Sequence, residues 1–262
     1  MNLDLSGKTA IVCGSTQGIG KATALQLAKM GANIVLVARN EVKLTSVKDE
    51  LDISKGQKHN YITTDFNFPA ELKLKVEEFI KENGPVHILV NNTGGPPGGP
   101  AIGAKTDEYT SAFNMHLISN QCLAQAVVEG MKSESYGRII NVISTSVKQP
   151  LNGLGVSNTI RGAVASWAKT LANELGEFNI TVNNVLPGAT NTVRLQSIIE
   201  TKASKTGRSI EDISNEMTNQ VPMKRFAEAV EIANAISFLA SPAASYINGI
   251  NVPVDGGRTK SL

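Results

Sequence analysis

The residues best suited to chemistry come early. Cys13-Gly14-Ser15-Thr16-Gln17-Gly18-Ile19-Gly20 sits between an apolar run at 8–12 and an amphipathic segment at 19–30. Glycines at a strand-to-helix turn let the backbone bend tightly and approach a ligand, and the unpaired amides of the helix start favour a diphosphate. Gly14, Ser15, Gln17, Gly18, Ile19 and Gly20 therefore form a candidate dinucleotide cradle. An ordinary Gly-rich turn is the alternative, and the strand–turn–helix setting weighs against it. The next apolar run, 33–37, ends in Ala38-Arg39-Asn40, where an NAD site would offer a carboxylate to the ribose. Arg39 instead offers a forked, permanently charged donor suited to a 2′-phosphate. The cofactor read from these two turns is NADP in preference to NAD.

Such turns need a particular architecture behind them. Short β-branched runs at 8–12, 33–37, 61–64, 86–90, 138–143, 181–186 and 250–254 predict strands. Helices are predicted at 19–30, from 41, and at 69–81, 107–131, 157–175 and 229–239. Strands apolar on both faces, each followed by a helix, imply a parallel sheet covered on both sides. Right-handed crossovers then give an α/β fold: one doubly wound parallel sheet, a Rossmann fold, spanning residues 1–262 with helices on both faces. A long insert at about 190–222 has an amphipathic segment around Ile198 and a polar centre at 202–209. It is the expected substrate lid.

Composition excludes several other classes. The net charge of +2 is scattered in both signs and leaves no footprint for nucleic acid. No apolar stretch approaches the roughly 18 residues of a membrane span, and the N-terminus lacks the pattern of a secretory leader, so a cytoplasmic protein is expected. Cys13 and Cys122 fall in a predicted strand and helix, which favours reduced thiols over a disulfide framework. His59 and His87 have no Cys, Asp or Glu at ligand spacing, so no metal is expected. The Gly/Pro-rich run Gly94 to Pro100 suits either a close-fitting wall of the cleft or a stiff structural turn.

Over essentially its whole length the chain resembles the short-chain dehydrogenase/reductase family. The resemblance is carried by residues 13–20, by Asn91-Asn92-Thr93-Gly94, by Pro187-Gly188 with Thr192, and by Asp255-Gly256-Gly257. It is nearest the 3-oxoacyl-(acyl carrier protein) reductase branch. It implies a small-molecule carbonyl or alcohol substrate and assembly as a homodimer or homotetramer through the helices at 107–131 and 157–175. It further implies that Gly14, Gly18 and Gly20 hold the pyrophosphate and that Asp65 contacts the adenine. Asn91 and Gly94 would line the adenosine side and support the sheet. Thr192 would meet the nicotinamide carboxamide or a phosphate, with Pro187, Gly188 and Thr190 beside it.

In that family a Tyr-x-x-x-Lys pair opens the helix after the fifth strand. The Tyr exchanges a proton with the carbinol oxygen and the Lys lowers its pKa. A Ser thirteen residues earlier holds the substrate oxygen, and an upstream Asn anchors a water. Aligned on Gly162-Ala163 and residues 167–172, this chain has Ser157 at the Tyr place, Arg161 at the Lys place and His116 at the Asn place, while Ser144 is kept. A Ser hydroxyl is a far weaker acid than a phenol of pKa about 10. An Arg stays protonated, so it stabilises an oxyanion but relays no proton. Losing a positioned acid typically costs about 10²–10⁴ in rate. His116, titrating near neutrality, is the expected replacement donor, with Arg161 and Ser144 polarising the substrate oxygen. Lys148 is a second candidate. Plainer alternatives are a packed helix histidine at 116, an N-cap at Ser157, a first-turn charge at Arg161 and a solvated loop at Lys148. The expected activity is an NADP-dependent, 3-oxoacyl-reductase-like oxidoreductase; the competing reading is a non-catalytic NADP(H)-binding sensor or regulatory protein.

Overall fold

The computed structural model describes residues 1–261. Its strands are β1 (Thr9–Cys13), β2 (Asn33–Ala38), β3 (Asn60–Thr63), β4 (Ile88–Asn91), β5 (Gly137–Val142), β6 (Ile180–Pro187), β7 (Thr190–Asn191), β8 (Ala227–Glu228) and β9 (Asn251–Val254). The α-helices are α1 (Gly18–Lys29), α2 (Glu41–Asp49), α3 (Pro69–Asn83), α4 (Thr106–Phe113), α5 (Ser119–Ser133), α6 (Gly155–Leu175), α7 (Val193–Thr206), α8 (Ile210–Asn219) and α9 (Ala229–Ala240).

Two apolar sets alternate along each central strand. In β1, Ala10 and Val12 face one side of the sheet and Ile11 and Cys13 the other; β2 divides the same way between Ile34/Leu36 and Val35/Val37. All are buried, so both faces need a cover. Apolar residues of α1, α2 and α9 supply one layer, and those of α3, α5 and α6 the other. Seven strands pair in parallel in the order β3-β2-β1-β4-β5-β6-β9, the doubly wound sheet the sequence implies. The direction of winding reverses between β1 and β4, which opens a ligand crevice at their carboxyl ends. Cys13 and Cys122 are free thiols. Among the described residues no helix is long and apolar enough to cross a membrane.

Two elements differ from expectation. The helix expected at 107–131 is α4 and α5 joined by a π turn, Asn114–Ile118, with His116 at its centre. A π turn adds a residue without ending the helix, so the apolar periodicity carries through it. The insert expected to form a lid is also more built than expected. Its supposed polar centre is helical up to Thr206, turns at Gly207 (φ +66°), and resumes as α8 behind the N-cap Ser209. Leu195, Ile199, Ala203 and Ile213 bury against one another to hold the two helices together. The short parallel pair β7 and β8 closes the base of the lid.

A polar seam crosses the otherwise apolar sheet. Asn91, Asn141, Asn184 and Asn251 stand opposite one another on β4, β5, β6 and β9. Each amide nitrogen donates to the next side-chain oxygen, at 2.9, 2.9 and 2.8 Å. In-register parallel strands set side chains at the spacing such amide ladders require. Asn141→Leu would leave the Nδ2 of Asn91 and the Oδ1 of Asn184 buried and unpaired, at about 1–3 kcal/mol each. Denaturant unfolding should therefore show a loss of about 2–6 kcal/mol with an unchanged m-value; an unchanged midpoint would mean the ladder contributes nothing.

Candidate functional site

The turn after β1 is pressed onto the loop after β4. A Cβ on Gly14 would lie 2.5 Å from the carbonyl oxygen of Asn92, and one on Gly20 2.3 Å from the carbonyl oxygen of Gly14. Asn92, which the sequence reading did not single out, donates its amide to the Cys13 carbonyl at 3.2 Å and holds the two loops together. Gly14 (φ +59°) and Gly18 (φ +56°) are left-handed, and a Cβ on Gly18 would come within 3.3 Å of Thr192 Cγ2. The first turn of α1 has neither a side-chain cap nor an acidic residue, so its amides remain for an anionic ligand. Gln17 is exposed beside it, while Ile19 packs into the core.

Two residues expected at the cofactor turn their side chains elsewhere. Ser15 is fully buried, and its hydroxyl accepts from the Val37 amide at 3.0 Å, so the side chain ties the turn to β2. The Asn91 amide nitrogen belongs to the amide ladder, so the side chain supports the sheet, as expected of it. At the end of β2 the Arg39 guanidinium is 71% exposed, held only by a 3.7 Å pair with Asp65. Such a pair is weak and leaves Arg39 free to turn onto a phosphate. Asp65 also accepts from the backbone and side-chain amides of Asn67, both at 2.9 Å. Asn40 is spent capping α2.

The far wall is built from β6 and the lid. A Cβ on Gly188 would lie 2.7 Å from Asp255 Cα, so Pro187-Gly188 runs flush against the Asp-Gly-Gly turn. Thr190 donates to the Gly188 carbonyl at 3.1 Å and Thr192 to the Thr190 carbonyl at 3.2 Å. Thr192 also caps α7 by accepting from the Leu195 amide. Gly94 is exposed and open on all sides. The Gly/Pro run it begins is tied down at both ends: Arg194 of α7 donates to the Pro96 carbonyl at 2.9 Å, and Gly99 exchanges backbone bonds with Gly153 and Gly155. It forms a wall between the lid and the start of α6.

At the centre of the cleft, Ser144 Oγ accepts from the Ser146 amide at 3.1 Å, which leaves its own proton to donate. Helix α6 starts at Gly155 behind Leu154, so Ser157 lies in the first turn and is not its cap. Arg161 is buried, not solvated, and donates to the Val142 carbonyl at 3.1 Å. Burial pulls its pKa down to about 10, so it remains charged at neutral pH. Among the described residues no carboxylate pairs with it. A buried, uncompensated cation is costly and marks a place built to meet negative charge. Lys148 ends the short turn Thr145–Val147 after Ser144.

His116 departs from expectation. Its Nδ1 lies 2.6 Å from the hydroxyl of Thr93, and its Nε2 is buried with no partner among the described residues. Burial first, and then the Arg161 charge, push its pKa down to about 2. His116 is thus a neutral imidazole and not the near-neutral acid its type suggests. Thr93 was missed because its partner, His116, lies 23 positions later in the chain. His59 and His87 each accept a strand amide, from Ile34 and Thr9. Among the described residues no three His, Cys, Asp or Glu side chains gather as a metal site.

Residues 14–259 match the family described as enoyl-(acyl carrier protein) reductase. The chain belongs to the short-chain dehydrogenase/reductase family. As such it is similar to the 3-oxoacyl-[acyl-carrier-protein] reductase FabG of Vibrio cholerae, with 36% identity over 97% of this chain and 98% of that protein. It is also similar to the NADPH-dependent reductase BacG of Bacillus subtilis (strain 168), with 30% identity over 98% and 100%. The crystal structure of L-sorbose reductase from Gluconobacter frateurii, complexed with NADPH and L-sorbose, aligns over 100% of both chains with a TM-score of 0.94 and 32% identity. The branch expected from the motifs and the fold class both agree with these likenesses.

A neutral, buried His116 makes this dehydrogenase/reductase acid-sensitive. Its folded pKa lies below the ordinary 6.5, so its contribution is whole above pH 6.5 and is lost as pH falls toward about 2. Wild type should lose up to about 1.4 kcal/mol per pH unit more than His116→Gln below that value. Unfolding curves of the two proteins from neutral to acid pH measure it; parallel pH dependence would contradict a neutral imidazole.

Proposed function

We propose that this short-chain dehydrogenase/reductase is an NADPH-dependent reductase of small carbonyl compounds, acting through Ser144, Ser157 and Arg161 in place of a Tyr/Lys pair. The observation that carries the reading is the buried Arg161 guanidinium, uncompensated by any carboxylate among the described residues and bonded to the strand that leads into Ser144. The turn of Gly14, Gly18 and Gly20 with Thr192 would hold the diphosphate, and Arg39 the 2′-phosphate. NADPH, when bound, supplies a hydride to the carbonyl carbon. The Ser144 hydroxyl donates to the substrate oxygen, and the fixed charge of Arg161 balances the negative charge that grows on it. The proton that completes the alcohol comes from water by way of the Ser144 and Ser157 hydroxyls. His116 stays neutral, orients Thr93 and offers its Nε2 to a water. The NADPH-dependent BacG and the NADPH complex of L-sorbose reductase support the choice of cofactor. Assembly as a homodimer or homotetramer through α4–α5 and α6 belongs to the same reading.

Following NADPH absorbance over a panel of 2-oxo and 3-oxo compounds tests the proposal. Ser144→Ala and Arg161→Met should each lower kcat by about 10²–10³ with NADPH affinity retained. NADPH binding with no oxidation by any carbonyl would turn the reading toward a sensor. A second expectation concerns pH. His116 stays neutral down to about 2 and Arg161 charged up to about 10, so kcat should be flat across the neutral range. A limb near pH 6.5 that vanishes in His116→Gln would contradict the assigned roles.

A further inference from the structure

A cavity of about 390 Å³ adjoins the centre of the cleft, lined among others by Thr145, Gln149, Leu151, Gln220, Arg258 and Lys260. One wall continues from the proposed reaction centre: Thr145 follows Ser144, and Leu151 is pinned through both its backbone groups by Asn158, the neighbour of Ser157. The opposite wall is the segment after β9. The Asp255 carboxylate accepts from the amides of Gly257 and Thr259, at 3.0 and 2.8 Å, and turns that segment back over the cleft. It is then fastened on two sides, by Lys260 N to Gln149 Oε1 at 3.3 Å and by Arg258 Nη2 to Gln220 Oε1 at 2.9 Å.

The charges in this region are distributed unevenly. Lys202 and Arg208 pair with Glu216, Arg225 pairs with Glu231, and Arg194 is taken by a backbone carbonyl. Among the described residues, Arg258 donates its guanidinium to the neutral amide of Gln220 alone and the Lys260 ammonium has no partner. No Asp or Glu among the described residues lines the cavity. A guanidinium oriented by an amide keeps its full charge and its remaining forked donors, the arrangement that receives a carboxylate in two parallel hydrogen bonds.

We infer that Arg258 and Lys260 form a subsite for a carboxylate on the substrate, so that the compound reduced is a small oxo acid. The inference rests on the proposed reductase reading of the cleft and deepens it. Arg258 and Lys260 are specificity-determining residues; the carboxylate anchors there while the oxo group reaches Ser144.

The test uses short 2-oxo and 3-oxo acids, each against its methyl ester, on the full chain. Calorimetry on the NADPH-loaded protein reads binding, and absorbance reads KM and kcat. The acids should bind about 10–100-fold more tightly than their esters, the worth of a charge-assisted pair. Arg258→Met with Lys260→Met should raise KM for the acids by a similar factor, leave kcat in place and leave the esters unaffected. Arg258→Lys should restore part of the loss, and salt should weaken the acids alone. Acids that bind no better than their esters, or a double variant that shifts both alike, would overturn the subsite. Acids that bind tightly without turnover would leave the subsite standing and defeat the reductase reading instead.

Discussion

The contact between the turn after β1 and the loop after β4 is the constraint on which the rest of the site depends. Two backbones meet there with no room for a Cβ at Gly14 or Gly20, and Asn92 ties them together. Because the sheet reverses its winding at that point, the same contact opens the crevice and aims the first amides of α1 into it. Thr192, the cap of α7, sits against Gly18, so the insert that carries α7 and α8 begins beside the turn that would carry the diphosphate. Larger residues at Gly14 or Gly20 would force the loops apart.

Electrostatics organises the cleft around this frame. Arg39 stands exposed at one end, Arg161 is buried in the middle, and Arg258 with Lys260 lies at the far end. The buried member has the largest consequences, since a fixed positive charge in a poorly solvated place depresses any neighbouring base. The neutral state of His116 follows first from its burial in the π turn and then from that charge, and its hydrogen bond to Thr93 fixes the ring. In the proposed function such a site would stabilise an oxyanion by a charge already in place, where a Tyr/Lys pair would do so by proton transfer.

Much of this was legible in the sequence because it is local. Runs apolar on both faces, separated by helical segments, specify a parallel sheet with two covers, and the glycine turn at its first carboxyl end is a contiguous motif. What was not legible depends on distant partners or on changes that leave periodicity intact. The π turn keeps the apolar stripe of its helix, so 107–131 reads as one element. The side chains of Ser15 and Asn91 are engaged within the sheet by Val37 and Asn141, partners that lie 22 and 50 positions away. The pKa of His116 is set by its burial and by Arg161, 45 positions later in the chain. Beyond the Asp255-Gly256-Gly257 turn, the placement of Arg258 and Lys260 gave no signal, since their partners Gln220 and Gln149 lie 38 and 111 positions away.

Titrating the protein with NADPH and, separately, with NADH by calorimetry tests the central claim most directly. The account predicts saturable binding of NADPH to one site per chain and clearly weaker binding of NADH, because only the former carries the phosphate that Arg39 is placed to receive. Failure of both dinucleotides to bind at millimolar concentration would contradict it.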